Sequence, residues 1–306
     1  MFLEQANEEQ QVYVRQVLNE DVNTRDRDLQ AIKDWLRKEP HLPDTWDEDA
    51  LLAFLRGCSF SLEKTKRKLD MYFTVRAVVP EFFTNREVNS PDLQHILRLG
   101  SVAIMPGLTP DFRRVSVARA LAIDFDTPDL NHFFKLVFMI GDVRIKTEDV
   151  GILGDIYVLD ASVAVFKHFT KVSPMAIKKF FVCVQEAYPV KVKEVHIINA
   201  TPFVDFVIKQ VSFFLKEKIR RRIMVHPTVD SLLEFVPREM LPEEFGGTAG
   251  KMQKYSDQWI RMLQEYEPWF REQERVLADE SKRPGPPKCH EDLFGLNGSF
   301  KQLAID

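Results

Sequence analysis

Between residues 191 and 222 the sequence sets Lys191, Lys193, Lys209, Lys216, Lys218, Arg220, Arg221 and Arg222 against only Glu194, Asp205 and Glu217, in a chain whose formal net charge is −4. Such a local excess of one sign suits an anionic partner. Lys218 and Arg222 stand four apart, on one face of any helix they occupy, where two cations can grip a single phosphate. The same residues also suit a solvated helix end whose positive side chains complement the C-terminal dipole, and spacing alone leaves both readings open. The patch adjoins an apolar stretch. From Pro202 to Lys216 the polar residues Asp205, Lys209, Ser212 and Lys216 fall on one narrow helical stripe, and the rest is largely apolar, with Phe203, Phe206, Val207, Ile208, Val211, Phe213, Phe214 and Leu215. A helix with so wide an apolar face is either buried beneath neighbouring structure or covers a greasy cavity that opens towards lipid. A basic patch beside such a helix is the combination expected of a surface that docks on acidic headgroups.

Other chemistries find no support. The cluster Gly246-Gly247-Thr248-Ala249-Gly250 matches neither a dinucleotide fingerprint nor a P-loop and reads as a structural turn. There is no Gly-x-Ser-x-Gly elbow for acyl transfer. The histidines show no two-ligand helical pair, and His196 and His226 lie in strand-like runs where such residues are usually structural. Asp155 and Asp160 bracket a candidate strand, but the sequence gives these carboxylates no partner. Cys58, Cys183 and Cys289 are too far apart for a zinc site or a disulfide framework and read as reduced thiols. The expectation is a non-enzymatic protein with no cofactor and no metal.

The elements that must position the patch come in two textures. Leu29, Ile32, Trp35 and Leu36 recur at helical spacing, Thr45-Trp46-Asp47-Glu48 resembles a capping box ahead of Ala50, Leu51, Phe54 and Leu55, and Gly57 is placed to end that helix. Another helix starts at Ser61 and closes near Pro80. From Gly100 short apolar runs alternate with long amphipathic stretches, the pattern of an α/β layer structure. The expected strands are 102–105, 115–121, 155–160, 195–199 and 223–226. Thr127-Pro128 and Ser173-Pro174 each read as an N-cap with proline at the first helical position. Lys282 to Lys288 reads as a linker leading into a mobile tail. With 306 residues and 45% hydrophobic content the chain can hold one large domain and a smaller one. The boundaries expected are a helical N-terminal domain over 1–95, an α/β domain with a C-terminal helix over 96–272, and a linker and tail over 273–306. The balance of 42 basic and 46 acidic residues argues against a general nucleic-acid binder. No apolar run approaches the roughly 18 residues of a membrane span, and the first thirty residues carry no targeting pattern, so a cytoplasmic protein with peripheral membrane contact is expected.

Several ordered stretches resemble the CRAL-TRIO lipid-binding proteins, the family of the retinaldehyde and tocopherol carriers. They are Asp49 to Cys58, Tyr188-Pro189-Val190-Lys191, Val195 to Pro202, Lys218 to His226 and Leu241 to Gly247, and the likeness spans roughly residues 25 to 272. The resemblance implies an α/β fold, a five-stranded mixed sheet flanked by helices enclosing a lipid pocket, with an all-helical N-terminal domain. It implies that the helix at 202–216 gates the pocket, and that Lys191, Lys218 and Arg222 align with residues that bind phosphoinositide headgroups at the membrane. One departure is Cys58, which stands where the tocopherol carriers have a second arginine and weakens the carry-over of the full headgroup site. The expected pocket contacts are Phe133, Val137, Ile140, Ile177, Phe181, Phe203, Phe206, Val207 and Val211. The function expected is a carrier that binds one small hydrophobic ligand, such as a retinoid, tocopherol, carotenoid or other isoprenoid-like lipid, and exchanges it at phosphoinositide-containing membranes. A phosphoinositide-sensing membrane adaptor is the alternative.

Overall fold

Apolar side chains at helical spacing fold the first hundred residues into helices. The computed structural model describes residues 3–121, 129–148, 152–163 and 173–295. Helix α1 (Glu8–Leu18) opens with a capping box between Asn7 and Gln10. Helices α2 (Arg25–Leu36), α3 (Glu48–Gly57), α4 (Leu62–Val78), the short α5 (Pro80–Phe83) and α6 (Pro91–Leu99) follow. Ile32, Leu51, Phe54, Leu69, Tyr72 and Phe73 are buried in one core shared by α2 to α5, while α1 and α6 bury their apolar faces elsewhere. The cap of α3 is Asp47, not Thr45 as the sequence suggested. The Asp47 carboxylate stands one residue before the helix and accepts the Asp49 N–H. Gly57 is needed for close approach, because a Cβ there would lie 2.4 Å from the Pro189 carbonyl oxygen and so push α3 off the sheet domain.

The sheet has five strands in the order β1-β2-β3-β4-β5. Strand β1 (Gly100–Leu108) pairs antiparallel with β2 (Arg113–Ala120), and β3 (Gly154–Asp160), β4 (Val192–Ile198) and β5 (Ile223–Val225) add in parallel, giving a mixed sheet. Each strand overlaps one of the short apolar runs in which a strand was expected, with shifted ends. Strand β4 begins earlier than expected and stops at Ile198, because Asn199 turns to φ 52°. Helix α7 (Leu130–Thr147) is capped by Asp129, while the expected cap Thr127-Pro128 lies outside the described residues. Helix α8 (Pro174–Val182) is capped by Ser173, as its sequence predicts, and runs into a five-residue π-helical turn, Cys183–Ala187. The apolar stretch at 202–216 forms a shorter helix, α9 (Val204–Ser212). Its end is set by Phe214 N–H to Val211 O and Leu215 N–H to Ser212 O, i→i+3 bonds that tighten the chain out of the helix. A further short helix, α10 (Glu217–Arg220), precedes β5. Among the described residues no helix is long and apolar enough to cross a membrane.

Two features were not foreseen. Asp142 of α7 is fully buried and accepts hydrogen bonds from the Tyr72 hydroxyl at 3.0 Å, the Tyr188 hydroxyl at 2.7 Å, Arg86 Nη1 at 2.7 Å and Arg76 Nη2. This hub ties the N-terminal helices to α7 and to the approach to β4. The second feature corrects the expected mobile tail, because residues 276–295 pack against the helical domain. The Ala278 N–H donates to Phe73 O, the Asp279 N–H donates to His41 O, and Arg283 pairs with Asp70 at 2.8 Å. Phe294, 1% exposed, closes the segment against α8, where Lys178 Nζ donates to its carbonyl at 3.0 Å.

Candidate functional site

A cleft of about 760 Å³ opens between the helical domain and the sheet domain. Its walls come from every part of the chain. The C-terminal turn of α3 contributes Gly57, Cys58 and Ser59, and α4 contributes Lys64, Arg67 and Lys68, spaced i, i+3, i+4 on one face. The start of β4 brings Lys191 and Lys193, the chain around α10 brings Lys216, Lys218 and Arg222, and the C-terminal segment brings Lys288. Among the described residues the only acidic ones in the lining are Asp70 and Glu186. Asp70 is occupied by Arg283 and Lys288, and Glu186 by Lys216 at 2.6 Å. Among the described residues Lys64, Arg67, Lys193 and Lys218 have no carboxylate partner.

Crowding and partial burial show in the protonation of the group. Burial pushes the Lys191 ammonium down to about 8, helped by Lys193, Lys218 and Lys64. Burial also lowers Lys68 and Lys193 and raises the Cys58 thiol. Lys191 Nζ is held by the Ser59 hydroxyl at 2.9 Å, and Lys68 Nζ donates to the carbonyls of Gln185 at 3.1 Å and Tyr188 at 2.6 Å. A concave set of cations of which several lack a carboxylate partner has the donors to hold a multiply charged anion, and phosphate oxygens are acceptors such donors fit.

Lys191, Lys218 and Arg222, singled out by sequence, thus line one cleft. The contribution of α4 was missed, although the spacing of Lys64, Arg67 and Lys68 opposite the apolar Leu69, Tyr72 and Phe73 was visible. Lys64 and Lys68, with Lys191, act on Cys58, so the corner that lacks an arginine is not short of charge.

The chain that leaves helix α9 reaches this cleft at Lys216. Only Val204 of the helix is buried, Phe206 is 43% exposed, and Phe213 just beyond the helix is 77% exposed. Of the residues expected to line a pocket, Phe133, Val137, Ile177, Phe181, Phe203, Val207 and Val211 are half-buried. Ile140 is buried with Leu136, Met139 and Val143 of α7 in a cluster that includes Trp259 and Leu263.

The remaining candidates have structural partners. His196 Nδ1 and His226 Nε2 lie 2.8 Å apart, His196 Nε2 meets Glu194 at 3.1 Å, and burial lowers both imidazoles. Asp155 pairs with Arg144 at 2.7 Å, and Asp160 lies near Arg119 at 3.7 Å. Gly246 takes φ 74° after the turn Glu243–Phe245, and a Cβ at Gly247 would collide with the Leu241 backbone, so the glycine cluster makes a tight turn. Among the described residues no three His, Cys, Asp or Glu side chains are placed to hold a metal, and the three cysteines are free thiols.

Comparison with known proteins finds two family matches, the CRAL/TRIO domain over residues 99–247 and the Pinta-like UBA domain over residues 21–93. The chain is 30% identical over 254 residues to the mouse (Mus musculus) alpha-tocopherol transfer protein-like, covering 81% of this chain and 72% of that one. It is 26% identical over 233 residues to clavesin-1 of Xenopus laevis, covering 76% and 70%. The crystal structure of Sfh5 superposes over 86% of this chain and 98% of that one, at 14% identity and a TM-score of 0.47.

Proposed function

The chain belongs to the CRAL/TRIO domain family, and from that premise we propose that it is a carrier, enclosing one small hydrophobic molecule and exchanging it at membranes that contain phosphoinositides. The observation that carries this reading is the basic cleft reached by the chain that leaves α9. The basic hollow and an apolar helix followed by the exposed Phe213 are joined by the short chain that ends at Lys216, which supports a surface where a bilayer meets both. In this reading Lys191, Lys218 and Arg222, joined by Lys64, Arg67, Lys68 and Lys193, hold headgroup phosphates. Phe213 faces the acyl boundary.

The cargo is of the retinoid, tocopherol, carotenoid or other isoprenoid-like class, a reading supported by relatives named for tocopherol transfer. Its site lies between α7, α8 and α9, with Phe133, Val137, Ile177, Phe181, Phe203, Phe206, Val207 and Val211 as contacts and Ile140 behind them. Apolar burial at about 25 cal/mol per Å² supplies the affinity, so shape more than hydrogen bonding selects the ligand. The protein works in the cytoplasm as a peripheral membrane component, and no bond in the cargo is made or broken.

The test joins mass spectrometry of an organic extract of the purified protein to sedimentation with vesicles containing phosphatidylinositol phosphates. A stoichiometric lipophile together with vesicle binding is the expected result. An empty extract with intact vesicle binding would instead favour a phosphoinositide-sensing adaptor, and loss of both would overturn the reading.

A further inference from the structure

Gln185 lies in the π-helical turn after α8, a kind of irregularity that gathers at functional sites. Its side-chain amide makes three hydrogen bonds. Nε2 donates to Phe181 O at 3.1 Å and to Phe214 O at 2.9 Å, and Oε1 accepts the Lys216 N–H at 2.7 Å. With two carbonyls on one side and an N–H on the other, only one orientation of the amide fits. Next to it, the Glu186 carboxylate meets Lys216 Nζ at 2.6 Å. Phe214 and Lys216 belong to the chain that leaves α9, and Gln185, Glu186 and Lys216 all line the basic cleft.

The amide therefore binds the backbone at the end of α9 by a paired donor and acceptor, much as a neighbouring strand would. Glutamate at 185 would set an acceptor against two carbonyls, and methionine would keep the length while making none of the three bonds. Val204, near the other end, is the one buried residue of α9.

We infer that Gln185 is the positioning residue of a latch: it holds the C-terminal end of α9 against the wall of the cleft and so sets how fast α9 swings out and cargo leaves. The inference rests on the carrier reading, in which α9 is the gate. Glu186 adds a second, weaker tie through Lys216, since an exposed ion pair contributes little.

The test uses the full chain and its Gln185→Met and Glu186→Gln variants, with retinol as the probe. Two measurements are made: transfer of retinol fluorescence to neutral phosphatidylcholine vesicles, which do not engage the cations, and amide hydrogen exchange. Gln185→Met should release retinol about tenfold faster or more, which corresponds to about 1.4 kcal/mol. Glu186→Gln should release it less than about threefold faster. Exchange in Gln185→Met should rise across residues 204–216 and stay unchanged in β2 and β3, a contrast that a general loss of stability would not produce. Equal exchange at 204–216, or faster exchange throughout the sheet, would overturn the latch. If the wild-type chain fails to hold retinol, the carrier reading fails for that probe and the exchange contrast still decides the latch.

Discussion

Replacing Lys218 by glutamate should weaken binding to phosphoinositide vesicles without disturbing the fold. Lys218 is exposed, lines the cleft and has no carboxylate partner among the described residues. A lysine near an anionic bilayer surface contributes about 1 kcal/mol, so reversing its charge removes one attraction and adds one repulsion, together about 2 kcal/mol. That corresponds to roughly a 30-fold loss of affinity. The Debye length is about 10 Å at 0.1 M salt and about 3 Å at 1 M, and the cleft is open to solvent, so the loss should be large in dilute salt and nearly vanish in concentrated salt. Because Lys218 breaks no internal contact, the thermal midpoint should stay within the small range of surface substitutions. Sedimentation with vesicles containing phosphatidylinositol bisphosphate, at two salt concentrations, reads the effect, and retinol retention serves as the control. A change below about threefold in dilute salt, with folding intact, would refute the assignment of the cleft to membrane headgroups.

Two further outcomes follow from the same geometry. Lys191, with its ammonium pushed down to about 8, is charged below that pH and neutral above it; vesicle binding should therefore fall as pH rises from 7 to 9, and Lys191→Arg should flatten that profile. Identical profiles in the two proteins would contradict the role of Lys191. Asp142→Asn should lower the thermal unfolding midpoint sharply. Burial opposes its charge, but Arg76 and Arg86 hold the Asp142 carboxyl below the usual range, so the substitution strands buried cations at a cost of about 3–5 kcal/mol. Since its folded pKa is depressed, that contribution is present above the ordinary carboxylate range and lost as pH falls below it. The difference between wild type and variant, followed by calorimetry, should narrow below about pH 4, and a constant difference would count against the hub.

The sequence revealed those features that repeat locally. The apolar spacing of Leu51, Phe54 and Leu55 gave α3, short apolar runs marked the strands, and Ser173-Pro174 marked the start of α8, because each depends on a few neighbouring residues. The cap of α3 was misplaced since Thr45 and Asp47 are both good caps and only geometry chooses between them. The end of α9 was overshot because apolar periodicity continues through Phe213 and Phe214 after the backbone has left the helix. Arg76, Arg86 and Asp142 look like surface residues in sequence, and only contacts across as many as 66 residues bury them together. The cleft was half legible: Lys191, Lys218 and Arg222 stand in one charged run, while Lys64, Arg67, Lys68 and Lys288 arrive from both ends of the chain.

The C-terminal segment also bears on how the chain is made. Thr74 and Glu280, hydrogen-bonded at 3.2 Å, are 206 residues apart, and the backbone of Phe73 and His41 is likewise completed by Ala278 and Asp279. Chains are synthesised at roughly 5–20 residues per second and their domains fold N-terminal first, so the helical domain waits about 10–40 s for its last partners. During that interval the surface later covered by Phe294 is open to chaperones. Emergence of the segment around Ala278 to Glu280, rather than of the helices alone, marks the moment at which the helical domain is sealed.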